Sequence, residues 1–143
     1  MMASLSEIRK ALATVIRQNV TVELQDYSEV PDVLRLPAIV VKPSTGDFTG
    51  AFQRGLDTWE FEVYVLVARQ NSQTQQELLD EFLTGAGPNS IRRVVYENPT
   101  LGRSDVIDAM VKRMRGYGGT FQAAQVQHTG AILTVTVHTD GSN

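Results

Sequence analysis

Residues 58–69 constrain the fold more than any other stretch of the chain. Trp59, Phe61, Val63, Val65 and Val67 alternate with Thr58, Glu60, Glu62 and Tyr64. A period of two is the signature of a strand with one buried and one wetter face. A helix would scatter the same apolar residues around its circumference. A half-buried strand cannot stand alone, so the chain must supply partner strands and a layer to cover the apolar face.

The covering layer is legible upstream and downstream. Over residues 4–19, Leu5, Ile8, Leu12, Val15 and Ile16 fall on one helical face, and Ser4 with Glu7 has capping-box spacing. Ser72 and Gln75 repeat that spacing before Leu78, Leu79, Phe82 and Leu83, with Gly85 suited to the helix stop. Ser90 is placed to cap a short helix with Ile91, Val94 and Val95 inward, ending before Pro99. Partner strands are expected at 20–25, at 38–42 between Pro37 and Pro43, near 120–127, and at 131–139 after a turn at Thr129-Gly130. Residues 105–115 are ambiguous. Val106, Ile107, Met110, Val111 and Met114 make a helical stripe, and strand alternation is weaker because Asp108 and Lys112 share parity with Met110.

Size and composition bound the rest. A chain of 143 residues with 42% hydrophobic and 20% charged content matches one domain, 1–143, with a single core. The formal net charge of −3 argues against an extended basic surface that grips nucleic acid through phosphate neutralisation. The absence of cysteine removes disulfides, thiolate metal sites and cysteine nucleophiles. No apolar run reaches the roughly 18–20 residues of a membrane span. Met1-Met2-Ala3-Ser4 leads into a charged amphipathic stretch and not into a signal-peptide core, so a cytosolic site of synthesis and use is expected.

Candidate chemistry is sparse. His128 and His138 could begin a zinc site, but a third ligand such as Asp140 would come from the tail at 140–143; two partly exposed sheet-edge histidines are the simpler expectation. There is no Gly-x-Ser-x-Gly elbow and no Ser-x-x-Lys. Gly85-Ala86-Gly87 lacks the remainder of a phosphate loop and reads as a helix stop followed by a turn. Glu60 and Glu62 share a strand face about 7 Å apart. They could serve a small metal-dependent nuclease, yet no lysine follows them closely, and a solvated sheet face explains them as well. Arg92 and Arg93, and Lys112, Arg113 and Arg115, lack interleaved aromatics for base stacking, which favours surface faces or intersubunit ion pairs. No catalytic residue, metal or cofactor is expected.

Residues 43–57 carry Gly46, Gly50 and Gly55 in a polar setting and read as an extended loop. Phe48 and Phe52 lie in it. Leaving each in water forgoes about 1.5–3 kcal/mol of burial, so they either fold back on their own domain or dock on a neighbour. An assembly role predicts that exchanging both for Ser leaves the folded monomer intact and impairs association.

The order of these segments resembles a known family. The segments are Val30-Pro31-Asp32, Pro37 to Val41 with Pro43, the Phe-bearing loop, and Trp59 to Val67. Then come Gln76 to Asp80, Gly87-Pro88-Asn89-Ser90-Ile91-Arg92, Asn98-Pro99-Thr100-Leu101-Gly102, and Gly130 to Val137. Over roughly residues 5–139 this is similar to the tail terminator (tail-completion) proteins of siphophages, especially those of actinobacterial hosts. The resemblance implies that the chain continues as a strand after Gly102, so 105–115 is expected as a strand despite its stripe. The fold expected is α+β: a mostly antiparallel or mixed sheet of about five to six strands, packed by the N-terminal helix and one or two more.

The resemblance also implies a homo-oligomeric ring, a hexamer, at the head-proximal end of the tail tube in the virion. The ring stops tube polymerisation and joins the tail to the head-completion proteins. Its partners are other copies of itself, the tube protein and the connector, with duplex DNA only passing through the lumen and no membrane involved. Phe48, Phe52 and Arg54 are then candidates for the subunit or tube interface, and Glu60 and Glu62 for the lumen. A head–tail connector is the nearest alternative. A nuclease using Glu60 and Glu62, or a ligand-binding domain with an apolar pocket, would come from other classes.

Overall fold

A computed structural model of the chain describes residues 5–27, 36–47, 57–68, 73–123 and 126–139. The expectations placed on Ser4, on 28–35, on Phe48, Phe52 and Arg54, on Ser72 and on the tail 140–143 lie outside these residues. Among the described residues the elements run α1 (Leu5–Asn19), β1 (Gln25–Tyr27), β2 (Ala38–Asp47), β3 (Asp57–Val67), α2 (Gln73–Leu83), α3 (Ile91–Glu97), β4 (Val106–Ala123) and β5 (Val126–Thr139). The five strands form one mixed sheet in the order β1-β2-β3-β5-β4. Only the β1–β2 pair is parallel. The expected α+β class is therefore observed.

One face of this sheet carries the core. Ile39 and Val41 of β2, Phe61, Val63, Val65 and Val67 of β3, and Ala131, Leu133, Val135 and Val137 of β5 pack under the helices. Ile8, Leu12 and Ile16 of α1, Leu79 and Phe82 of α2, and Ile91, Val94 and Val95 of α3 cover them. The inward set on β3 is the set that its alternation predicts, because pleating sends every second side chain to the same face.

Several boundaries differ from expectation, each for a physical reason. The β-branched run Val20-Thr21-Val22 ends α1 but does not enter the sheet. The Thr21 and Val22 amides donate to Asn89 Oδ1 at 3.0 and 2.9 Å, and the ladder begins only at Gln25. β2 does not stop at Pro43. The register slips between Pro43 and Thr45, and that irregularity lets a residue without an N–H sit inside a strand. The predicted loop at 43–57 is thus shortened, since 43–47 belong to β2 and Asp57 already pairs with Thr139.

The C-terminal hairpin departs most. No turn falls at Thr129-Gly130. β4 and β5 remain paired as far as Ala123 and Val126, and Thr129 and Gly130 pair with β3 as well. A Cβ on Gly130 would lie 2.1 Å from the Val65 carbonyl oxygen, so this glycine marks a close strand approach and not a bend.

Residues 106–115 are a strand, and the register explains the helical stripe. Val106 pairs with Thr139 and Asp108 with His138, leaving Ile107 as an extra residue; Val111 pairs with Val135 and Arg113 with Thr134, leaving Lys112 as another. Each bulge shifts the alternation by one. The residues opposite the inward side chains of β5 are therefore Val106, Ala109, Val111 and Met114, at intervals of three, two and three. A twice-bulged strand mimics helical spacing.

Candidate interaction surfaces

The second sheet face has no helix among the described residues packed on it. It is built from the alternate residues of each strand. Thr58, Glu60, Glu62 and Tyr64 of β3 stand opposite His138, Thr136, Thr134 and Ile132 of β5. Asp108, Met110, Arg113 and Arg115 of β4 continue the row on the far side. Lys42 of β2 lies beside Glu62 and holds its Nζ 5.5 Å from the Tyr64 ring centre. A small apolar group of Leu36, Val40, Tyr64 and Leu66 occupies one end.

The paired glutamates sit on this face, where the alternation places them. They are not a free carboxylate pair. Glu62 is engaged by Arg115 of β4, and its carboxylate raises the Arg115 guanidinium above its ordinary value. Glu60 accepts a hydrogen bond from Thr45 Oγ1 at 3.3 Å. Thr134 and Thr136 separate them from β4 and are buried, and Thr136 Oγ1 has no hydrogen-bond partner among the described residues. Nothing in the described residues groups three or more His, Asp or Glu for a metal ion.

His138 does not lie at a sheet edge, because β5 is paired there with both β3 and β4, whereas His128 lies one residue beyond the β3 ladder and pairs only with Phe121 of β4. His128 is buried, whereas His138 is partly exposed with Nδ1 2.6 Å from Asp108 Oδ1. Ten residues of extended strand separate them by roughly 33 Å, too far to share one ion.

The basic residues divide into two kinds. Arg93 is structural: Nε donates to Gly87 O at 2.8 Å, Nη2 to Asn19 O at 2.9 Å, and Nη1 pairs with Glu97 at 2.6 Å. With Ser90 Oγ accepting from the Arg93 amide at 3.1 Å, it ties the end of α1 to the turn before α3. The Gly87-Pro88-Asn89-Ser90 stretch is therefore a packing joint, as the helix-stop-and-turn reading expects. Arg103 likewise joins Asp105 at 2.8 Å and Glu7 at 3.0 Å. Lys112 and Arg113 are of the other kind, exposed on β4 with no ion-pair partner among the described residues.

No protein-family model and no curated protein matches the chain. The surface itself is then the guide to function. Among the described residues the exposed large apolar side chains are Tyr96, Ile107, Met110, Met114 and Tyr117, and all but Tyr96 lie on β4. Tyr117 is tethered: its hydroxyl reaches Asp80 and Gln76 on α2. It can do so because β4 bulges widely between Arg115 and Gly119, where Gly116 and Gly118 adopt positive φ. Ile107, Met110 and Met114 remain exposed along this edge strand, Ile107 at the first bulge, Met110 on the face of Arg113 and Arg115, and Met114 on the core-side face beyond the helical cover. Sequence reasoning placed these methionines on a strand, against their helical stripe, and did not identify them as exposed. The signal available was the density of basic residues among them, which suits an outward strand better than a core helix.

Proposed function

We propose that this protein is a structural subunit of a long-tailed phage virion, forming a ring at the head-proximal end of the tail tube. The ring ends tube growth and offers its other side to the head-completion proteins. The observation that carries the reading is β4. The family resemblance demanded a strand after Gly102 where local periodicity favoured a helix, and a strand runs from Val106. The exposed apolar and basic side chains on that strand support a protein that works through contacts with other chains. The sheet face with Glu60 and Glu62 is the proposed lumen wall: Glu60, Glu62 and Asp108 offset Lys42, Arg113 and Arg115 there, so it offers a passing duplex no net cationic surface. Phe48, Phe52 and Arg54 stay as the proposed contact to the tube or to the adjacent subunit.

A tube subunit stacks without limit because each ring exposes the docking surface that it has consumed. A terminator must match the tube on one side and differ on the other. Removal of this gene product should give overlong, headless tubes by electron microscopy. Tails of normal length that fail to join heads would favour the connector role instead.

A further inference from the structure

Among the described residues the sheet has two edge strands of opposite character, β1 and β4. The β4 edge is apolar and basic, with Ile107, Met110 and Met114 exposed beside Lys112 and Arg113. At the opposite end, the residues leading into β1 line a shallow groove of about 340 Å³. Val20, Val22 and Leu24 supply its apolar part, with Val22 the more exposed of the three, and Glu23 and Asp26 outweigh Arg17 in its charge. Glu23 is exposed with no ion-pair partner among the described residues; Asp26 has Arg17 at 3.6 Å. One edge therefore carries projecting flexible side chains and positive charge. The other carries a recess and negative charge.

We propose that copies of this chain associate head to tail, the β4 edge of one subunit seating Met110, Met114 and Ile107 against the Val20–Asp26 edge of the next, with Lys112 and Arg113 facing Glu23 and Asp26. The occupant of the β4 edge is a second copy because the complementary charge and recess lie on the same molecule, at the other end of the same sheet. A contact between two β4 strands would instead set one basic edge against another. The bulges at Ile107 and Lys112 disrupt a continuous backbone ladder, so the contact is made by side chains and open-ended sheet growth is disfavoured. An interface joining two different surfaces propagates in one direction and closes into a ring when the rotation allows it. This names the subunit contact of the ring proposed above and rests on that reading.

The test uses two full-length variants, Lys112→Glu/Arg113→Glu and Glu23→Lys, each checked for a wild-type circular dichroism spectrum and urea midpoint. Sedimentation of each alone should show association weakened at least about tenfold, because like charges then meet. Mixing the two variants should restore assembly, since every new junction again pairs opposite signs. Carbodiimide cross-linking of a mixture of isotopically light and heavy wild-type chains should join Lys112 of one copy to Glu23 of another. Association that persists in both variants, or cross-links joining β4 to β4, would overturn this interface while leaving the ring reading intact. A wild-type chain that never self-associates, free or on isolated tail tubes, would overturn both.

Discussion

At the residue scale, Gly130 shows how one position can be settled by a neighbour distant in sequence. Its side-chain position is occupied by the Val65 carbonyl of β3, so the glycine is required by approach and not by backbone conformation. Gly102 is the contrasting case, with φ of +71° and open space around the missing Cβ. Gly130→Ala should cost about 2–3 kcal/mol or more, because the β3–β5 ladder must shift. Gly102→Ala should cost only about 1 kcal/mol of backbone strain. Urea unfolding of the two variants side by side checks the order, and equal losses would refute the close approach. Composition told nothing of this difference, and the sequence reading placed Gly130 in a turn.

At the scale of elements, the joints between helices and sheet decide the arrangement. Arg103 links Asp105, just before β4, to Glu7 in the first turn of α1. Its guanidinium, hydrogen-bonded to Asp105, holds that carboxyl below its ordinary value of 3.8. A depressed folded-state value means that the stabilisation is complete above the unfolded carboxylate range. It is lost as pH falls below 3.8 towards the lower folded value. Asp105→Asn should therefore destabilise the protein by about 1 kcal/mol at neutral pH. The gap to wild type should close below about pH 4, as read from denaturant midpoints across a pH series. A gap that stays constant into acid would place the effect elsewhere.

The elements themselves were legible to different degrees. α1, α2, α3 and β3 follow their sequence patterns because each packs a single uninterrupted face against the core. β2 and β4 were misread in extent or in local pattern because their bulges shift the phase of the alternation. A bulge has no reliable local signature: it is chosen by the partner strand, and the partner is found only when the chain folds.

For the whole molecule, the formal charge of −3 and the internal pairing of Arg93, Arg103 and Arg115 argue against an extended basic surface for phosphate. Purified protein should show no sub-micromolar, salt-sensitive binding to duplex DNA in filter-binding or anisotropy titrations. Tight binding that falls steeply with salt would contradict a lumen that lets a genome pass.

Local order in the sequence by itself determined the class of this protein: period-two and helical stripes demand a sheet with a helical cover, and the absence of cysteine removes thiol chemistry. The positions of Glu60 and Glu62 on one face also followed from pleating alone. What covers that face was a tertiary matter. All three described helices settle on the opposite side, because Phe61, Val63, Val65 and Val67 bury far more apolar surface than Glu60 and Glu62 could. Tertiary structure alone decided that Met110 and Met114 are exposed on an edge strand, since an apolar side chain is in the core or on the surface according to which strand finds its partner.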